Sequence, residues 1–163
     1  MNSRSDPHLP GRDASRTLAE AQLRAAAVRV TSARVKVLAA LLDAGSAVTH
    51  QQLQDRLDAL DRVTLYRALD CLTDAGLAHK IAGDDRVFRY GAGAEHGGAA
   101  RSHPHGHFKC TRCARMFCLD DDAGGDAALR AQLAGTLRRA LGDGFESHDI
   151  ELTVKGWCAD CAH

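Results

Sequence analysis

The chain has 163 residues, and its 21 Lys and Arg are balanced by 21 Asp and Glu, so the formal net charge at pH 7 is +0. This length suits one ordinary domain or two small ones that share an interface. No segment is long and apolar enough to span a bilayer, and residues 1–13 lack the apolar core of a secretory signal. These features exclude an integral membrane protein, and we expect a cytoplasmic protein whose thiols stay reduced.

The N-terminal half predicts four helices in series. An Ala-rich stretch over residues 15–30 is followed by a second helix, which Thr31 caps and Gly45 ends. Residues 49–52 have the sequence of a capping box and begin a third helix. Apolar residues at helical spacing predict the fourth helix over residues 63–75.

The hydrophobic period then changes from that of a helix to that of strands. Residues 77–81 and 86–90 flank a Gly-Asp-Asp turn, which is a β-hairpin signal. Short helices followed by a hairpin predict a winged helix-turn-helix domain over residues 15–90, whose helix before the wing is offered to the major groove of DNA. The residues that face outward on that helix are Arg62, Thr64, Tyr66 and Arg67.

These outward residues have the chemistry for contacting DNA. Arginine can bond guanine bidentately, while threonine and tyrosine can reach a phosphate or a thymine methyl group. The alternative is a solvated helix face in a packing module, because helix-turn-helix patterns are weak on a single sequence. Nearby, His50 is interpreted as a surface or capping residue, and Cys71 as a small buried residue of the core.

A second domain is predicted after a glycine-rich hinge. The hinge covers residues 91–102 and the domain residues 103–163. The domain contains a short strand at residues 116–119, a helix lined by leucines and an alternating strand over residues 145–154. So few elements make a thin core, which a structural metal or dimerisation would stabilise. The predicted fold class is therefore α+β, with a winged helix-turn-helix followed by a small α/β dimerisation domain.

Two Cys-x-x-Cys pairs are the strongest signal in the chain. Cys110 and Cys113 form the first pair, and Cys158 and Cys161 form the second near the C-terminus. Four thiolates at this spacing complete a tetrahedral shell around Zn²⁺, which needs no further ligand. A thioredoxin-like redox motif is the competing interpretation, but it requires one such motif in a βαβ setting. We therefore predict a structural zinc site.

Three histidines alternate just before the first cysteine pair. On an extended strand, His103, His105 and His107 would point to one face of the sheet and Phe108 to the other. Imidazole is a good zinc ligand, so these residues are candidates for a second metal site. The alternative is a solvated loop or a non-specific metal scavenger.

In combination, these motifs resemble the ferric uptake regulator family. The resemblance rests on Thr-Leu-Tyr-Arg-Ala-Leu at residues 64–69, Ala-Gly-Leu at residues 75–77, the histidine-rich approach to the first cysteine pair, and the distant second pair. Within the family, Gly-Leu-Ala-His-Lys at residues 76–80 looks most like the zinc uptake regulators. The resemblance implies a homodimeric, metal-activated repressor that binds double-stranded DNA at an AT-rich inverted-repeat operator.

The resemblance also implies roles for particular residues. The four cysteines of the two pairs would hold the structural zinc. Arg67, beside Tyr66, would read a base, and Arg34 would contact a phosphate. At least one further zinc ion in each protomer would regulate DNA binding. Its candidate ligands are His79, His103, His105, His107 and Cys118.

Two positions depart from the pattern of the zinc regulators in this family. Tyr90 stands where a cysteine usually ends the wing, and Cys118 stands where the family usually has Asp or Glu. We interpret this as a thiolate that has moved from one side of the regulatory site to the other, which leaves the number of soft ligands unchanged. His148 lies where this family often has a histidine of a secondary site.

The predicted function is zinc-dependent control of metal-uptake genes, with no small-molecule substrate and no membrane partner. An iron- or manganese-responsive regulator, or a peroxide sensor, of the same family is the alternative, but a carboxylate ligand would then be expected at Cys118. A zinc hydrolase would need an open metal position and a general base. No His-Glu-x-x-His motif is present, and no Glu lies between Glu95 and Glu146. We therefore expect a regulator rather than an enzyme.

Overall fold

The structure is a computed structural model that describes residues 12–83, 85–93, 106–119, 125–145 and 152–162. The chain divides into two compact units, residues 1–102 and residues 103–163. Among the described residues, no helix has both the length and the apolar character needed to cross a membrane.

The N-terminal unit is a winged helix-turn-helix. Its described elements are α1 (Arg12–Ala25), α2 (Ser32–Ala44), β1 (Val48–Thr49), α3 (His50–Arg56), α4 (Arg62–Asp74), β2 (Ala78–Ala82) and β3 (Phe88–Ala92). These three strands form an antiparallel sheet in the order β1-β3-β2. The four predicted helices and the predicted hairpin are all confirmed, whereas the two-residue strand β1 has no sequence signal of its own.

Capping side chains account for the helix boundaries. Thr31 accepts a hydrogen bond of 3.3 Å from the backbone N of Arg34 at the start of α2, and Gly45 ends that helix with φ of 58°. The predicted capping box begins α3. There, the backbone N of Gln52 donates to the Thr49 hydroxyl at 3.1 Å, and the backbone N of Thr49 donates to the Gln52 side chain at 2.8 Å.

Two boundaries differ from the sequence-based prediction. α1 lies nearer the N-terminus than the predicted residues 15–30, because Ala27 adopts φ of 55° and the backbone N of Val28 donates to the Leu23 carbonyl at 2.9 Å. This pattern of hydrogen bonds closes a helix. β3 continues two residues into the predicted hinge, because its pairing with β2 extends to its last residue.

The helices and the wing bury one continuous apolar core. Tyr90 joins this core from β3 and is only 4% exposed. Cys71, which was predicted to be buried, is half-buried. The inner face of α4 is buried, which leaves its opposite face to solvent. The leucines with no exposed surface are Leu23, Leu38, Leu53, Leu65, Leu69 and Leu72.

The described part of the C-terminal unit is a three-stranded sheet with one helix. Its elements are β4 (Gly106–Cys110), β5 (Met116–Leu119), α5 (Gly125–Leu141) and β6 (Thr153–Gly156). The strand order is β5-β4-β6, with β4 antiparallel to β5 and parallel to β6. The strand predicted at residues 116–119 is confirmed. Of the strand predicted over residues 145–154, residues 153 and 154 begin β6, residues 145 and 152 lie outside any strand, and residues 146–151 lie outside the described ranges.

The side chains whose burial is described in this unit form a thin core. Over residues 106–119, 131–145 and 152–162, the buried ones are those of Cys110, Met116 and Cys158. Of the leucine ridge predicted on α5, Leu137 and Leu141 are 39% and 52% exposed in the single chain, and Leu133 is half-buried. The predicted α+β class, with a winged helix followed by a small α/β unit, is nevertheless confirmed.

Candidate metal and DNA-binding sites

The sheet of the C-terminal unit brings the two cysteine pairs together. β4 ends at Cys110, which lies opposite Gly156 in the parallel pairing with β6. The backbone N of Thr111 extends this contact by donating to the Gly156 carbonyl at 2.8 Å. Cys158 follows two residues after β6. Cys113 and Cys158, which are 45 positions apart in the sequence, are in this way brought close together.

The four thiols have the geometry of a closed metal site. The sulfur atoms of Cys110, Cys113, Cys158 and Cys161 all lie within 4.8 Å of one another. The sulfurs of Cys113 and Cys158 are 3.7 Å apart. Zn–S bonds of about 2.3 Å in a tetrahedron place the sulfurs about 3.8 Å from one another. Both the donor set and its spacing therefore fit one zinc ion.

Hydrogen bonds distribute the protons unevenly among these thiols. Those from the backbone of Cys113 and then of Cys158 lower the pKa of the Cys110 thiol to about 6. The guanidinium of Arg115 lowers the pKa of Cys113. Hydrogen bonding with Cys158, and then burial, raises the pKa of the Cys161 thiol to about 12. Metal binding requires deprotonated thiolates, so it has to displace the proton of Cys161.

Arg115 is a part of this site that sequence reasoning missed. Its Nε donates to the sulfur of Cys113 at 3.4 Å, and its Nη2 donates to the sulfur of Cys158 at 3.3 Å. Nη2 also pairs with the Asp160 carboxylate. The contacts with Cys113 and Asp160 raise the pKa of the guanidinium. The available signal was an arginine two residues after Cys113. Such an arginine indicates nothing specific until the fold places Cys158 and Cys161 beside it.

His107 and Cys118 lie opposite each other in the sheet of the C-terminal unit. They are partners in the antiparallel pairing of β4 with β5, and both are half-buried. On antiparallel strands, residues directly opposite share a face and have Cβ atoms about 4.5–5.5 Å apart. One imidazole and one thiolate ligand are therefore neighbours. The other predicted histidines of this unit, His103 and His105, lie outside the described residues, as does His148.

The predicted wing ligand, His79, lies on β2 of the N-terminal unit. It is half-buried and opposite Gly91 of β3. The neighbouring Tyr90 is packed in the core, where burial raises the pKa of its phenol, with smaller contributions from Asp70 and Tyr66. A metal ligand has to be deprotonated, so a buried phenol with a raised pKa is poorly suited to replace the cysteine that zinc regulators usually have at this position.

The outer face of α4 carries the candidate DNA-contacting residues. Arg62, Tyr66 and Arg67 are exposed, whereas Thr64 is half-buried. The Thr64 hydroxyl donates to the Asp61 carboxylate at 2.6 Å, and its backbone N donates to the same group at 2.9 Å. These hydrogen bonds hold the pKa of Asp61 below its usual value. The side chain of Thr64 thus serves the helix cap, unlike the other three outward residues.

Neighbouring side chains orient the other candidates on this unit. The guanidinium carbon of Arg62 lies 5.9 Å from the centroid of the Tyr66 ring, which also stacks on His50. Arg34 is half-buried, and its Nη1 donates to the Arg29 carbonyl at 2.8 Å. Arg34 thus lies just inside the N-terminus of α2 with its guanidinium anchored at one nitrogen.

Comparisons with known proteins place the chain in one family. Residues 25–132 match the sequence model of the Ferric uptake regulator family. The transcriptional regulator FurA of Mycobacterium bovis is 30% identical over 144 residues, which are 86% of this chain and 88% of that protein. The solved structure of holo XcZur is 29% identical, with a TM-score of 0.60 over 93% of this chain and 99% of that chain.

Two further solved structures share the fold. A zinc uptake regulator complexed with zinc and DNA is 23% identical, with a TM-score of 0.57 over 94% of this chain and 96% of that chain. The ferric uptake regulator of Vibrio cholerae is 19% identical, with a TM-score of 0.57 over 85% of this chain and 98% of that chain. At these identities, the similarity establishes the architecture alone.

Proposed function

Because the chain belongs to the ferric uptake regulator family of metal-responsive, DNA-binding transcriptional regulators, we propose that it is a zinc-responsive repressor. In this proposal, a metal-loaded homodimer binds an AT-rich inverted-repeat operator and controls metal-uptake genes. Members of the family are transcriptional regulators rather than enzymes. The assignment of zinc as the regulating metal therefore depends on the ligands that favour zinc over iron or manganese.

The first metal in the proposal is a structural zinc ion at the four cysteines. The thiolates of Cys110, Cys113, Cys158 and Cys161 would bind it in a closed tetrahedral site. A bound ion there would cross-link the chain segments that contain the two cysteine pairs. This would stabilise a unit whose described core is thin. Because no ligand position is left open, this site would hold its metal permanently and would not sense the concentration of free zinc.

The second metal is a regulatory zinc ion, and the pairing of His107 with Cys118 is the observation that carries its assignment. An imidazole and a thiolate on one face of a sheet are a soft donor pair, which favours zinc over manganese or magnesium. By resemblance to the zinc uptake regulators, His79 of the wing would complete the site together with His103 or His105. Cys118 replaces the carboxylate that an iron- or manganese-responsive member would be expected to use.

Ligands from both sides of the predicted hinge would make the site responsive to free zinc. Its residues would bind the ion well only in the conformation that brings them together, so loading would shift the equilibrium toward that conformation. In a homodimer, this would fix the spacing of the two α4 helices, so that both can enter successive major grooves. A coupling of about 1–3 kcal/mol is typical of such linkage.

The DNA-binding surface in the proposal is the outer face of α4. Arg67 would read a base, Tyr66 and Arg62 would contact the same site, and Arg34 would hold a phosphate. Thr64 would contribute mainly through the N-cap that starts the helix, since its hydroxyl is bonded to Asp61. The exposure of the three larger side chains supports this division of roles.

The test is fluorescence anisotropy of a labelled AT-rich inverted-repeat duplex. Free Zn²⁺, Fe²⁺ and Mn²⁺ are buffered separately, and the metal content per protomer is recorded at each point. Tight binding is expected only as a second zinc ion loads. If iron or manganese switches binding at its own physiological level, the regulator responds to another metal. If no metal changes binding, the regulatory site is wrongly assigned.

Two cysteine variants provide a matched comparison. Cys118 and Cys71 are both half-buried, and neither belongs to the four-cysteine site. Cys118→Ser is expected to retain the first zinc ion and to lose the second together with zinc-dependent DNA binding. Cys71→Ser is expected to retain both ions. Loss of the first ion in Cys118→Ser would instead make Cys118 part of the structural site.

A further inference from the structure

We propose that Arg115 is a positioning residue of the four-cysteine site, where it holds one thiolate from each pair and slows the release of the metal. The proposal rests on the structural zinc assigned above and concerns the retention of that ion. Its readouts are metal release and the spectrum of the metal site, so they do not involve DNA.

The guanidinium of Arg115 spans the two cysteine pairs. Its Nε donates to Cys113 of the first pair at 3.4 Å, and its Nη2 donates to Cys158 of the second pair at 3.3 Å. Hydrogen bonds to sulfur are longer than those to oxygen, so both distances are bonding contacts. The planar fork of arginine presents several donors in a fixed geometry, and one side chain can therefore set the positions of two sulfurs at once.

The charge of the site gives this contact its importance. Zn²⁺ with four thiolates carries a net charge of −2, which a partly buried position does not easily tolerate. Arg115 places a positive charge directly on two of the four sulfurs, and hydrogen bonds to a charged partner are about twice as strong as those between neutral groups. A thiolate held in this way binds a proton less readily. It therefore dissociates less readily from the metal.

Asp160 orients the arginine without cancelling its effect on the sulfurs. Its carboxylate pairs with Nη2, the same nitrogen that contacts Cys158, and it lies between the two cysteines of the second pair. The Asp160 side chain is 73% exposed, so solvent screens the negative charge of its carboxylate. The positive charge of the guanidinium lies in direct contact with the thiols. The arrangement therefore fixes the guanidinium in one orientation across the two pairs.

Arg112 provides a natural control in the same turn. It also lies beside the site, but its guanidinium carbon is 3.9 Å from the centroid of the Trp157 ring, and its Nη1 donates to the Cys161 carbonyl. Among the described residues, the contacts of its guanidinium are thus with a ring and a carbonyl rather than with sulfur. Replacing either arginine removes one positive charge from the same region, so a difference between them reports the contact with the thiolates.

The experiment measures the rate of metal transfer from the purified full-length protein to a colorimetric chelator. Residues that hold metal ligands typically change metal affinity by about 10–100-fold when they are replaced. Arg115→Gln is expected to release the zinc of the four-cysteine site faster by a factor in this range. Arg115→Lys, which keeps the charge but loses the fork, is expected to lie between Arg115→Gln and the wild type. Arg112→Gln, which loses a contact with the Cys161 carbonyl but none with sulfur, is expected to release zinc more slowly than Arg115→Gln.

Substitution with Co²⁺ gives a second readout that a purely structural role would not change. The sulfur-to-cobalt charge-transfer absorption reports the electron density on the thiolates, so its energy is expected to shift in Arg115→Gln and to stay unchanged in Arg112→Gln. Equal release rates and equal spectra for the two glutamine variants would overturn the proposal. If Arg115→Gln does not fold, the comparison of Arg115→Lys with Arg112→Gln decides in the same way. A wild-type protein that holds no zinc at these cysteines would overturn the structural site as well.

Discussion

The imidazole of His50 lies against the phenol of Tyr66, with ring centroids 3.8 Å apart and ring planes inclined by 19°. His50 is the first residue of α3, and Tyr66 lies on the exposed face of α4. The stack therefore joins the two helices of the helix-turn-helix at the surface proposed to meet DNA. Aromatic pairs contribute about 0.5–1.5 kcal/mol beyond the area that they bury. Such a contact restricts the orientation of Tyr66 before DNA binds.

We expect His50→Ala to weaken DNA binding and His50→Phe to preserve it. The alanine variant loses the stack, and a loss of about 1.4 kcal/mol would weaken binding about tenfold. The phenylalanine variant keeps a planar ring against Tyr66. Anisotropy titrations of the inverted-repeat duplex at saturating zinc measure the effect, and equal affinities for the two variants would show that the stack contributes nothing to binding.

The same histidine predicts a pH dependence of folding stability. Burial, and then the charge of Arg62, lowers the pKa of His50 below its usual value of 6.5. In the pH range just below 6.5, the unfolded chain therefore binds more protons than the folded chain at this position, and stability falls as the pH decreases through that range. His50→Phe cannot titrate and lacks this contribution.

Urea unfolding of the wild type and of His50→Phe at several pH values tests this sign. The midpoint of the wild type is expected to fall more steeply on acidification than that of the variant, because all other titrating groups are common to the two proteins. If the two midpoints fall in parallel, His50 is protonated to the same extent in the folded and unfolded chains.

Local signals predicted much of the N-terminal unit. The capping box at Thr49 and the helix stop at Gly45 depend on contacts within a few residues, so the sequence contains all the information that they require. The burial of Tyr90 is different in kind. It depends on the pairing of β3 with β1, and a strand of two residues has no periodicity from which to be recognised.

The metal site shows the same division. The spacing within each cysteine pair is local, so the composition of the site was predictable. The register that places Cys110 opposite Gly156, and the contacts of Arg115 with residues 43 and 45 positions away, depend on the tertiary fold. Single-sequence reasoning can identify the ligands of such a site, whereas the side chain that holds those ligands becomes recognisable only after the two pairs are brought together.

Tyr90→Phe is expected to leave the metal content unchanged. Tyr90 occupies the position at which zinc regulators of this family usually have a cysteine, but its ring is packed in the winged-helix core and the pKa of its phenol is raised. Removing the hydroxyl should therefore remove no ligand. Zinc per protomer, measured by elemental analysis at increasing buffered zinc, is expected to match the wild type at both sites. Loss of the second ion in this variant would identify Tyr90 as a ligand.

The exposed leucines of α5 predict where the proposed dimer is sensitive to substitution. Leu137 and Leu141 are four residues apart, so they share one helix face, and both are exposed in the single chain. We expect Leu137→Glu and Leu141→Glu each to shift the protein toward monomers in analytical ultracentrifugation. Thr136→Glu adds the same charge to another exposed position of α5 and should remain dimeric. If all three variants remain dimeric, the ridge is not part of the interface.

Removal of the proposed structural zinc should be visible at Trp157, the only tryptophan in the chain. The guanidinium of Arg112, which lies between the two cysteines of the first pair in the sequence, covers this ring and donates to the Cys161 carbonyl of the second pair. The surroundings of the ring therefore depend on the two pairs staying close together. Because the described core of this unit is thin, we expect the removal of zinc by a strong chelator to separate the pairs and to unfold the unit.

The expected signal is a change in Trp157 emission that follows zinc release and is reversed when zinc is added back under reducing conditions. The ring is already 55% exposed, so the change should come mainly from loss of the contact with Arg112. Arg112→Gln provides the control, because its emission should differ from the wild type while zinc is still bound, and its zinc content should be normal. Emission that stays constant through complete removal of zinc would show that the cysteine pairs remain together without the metal.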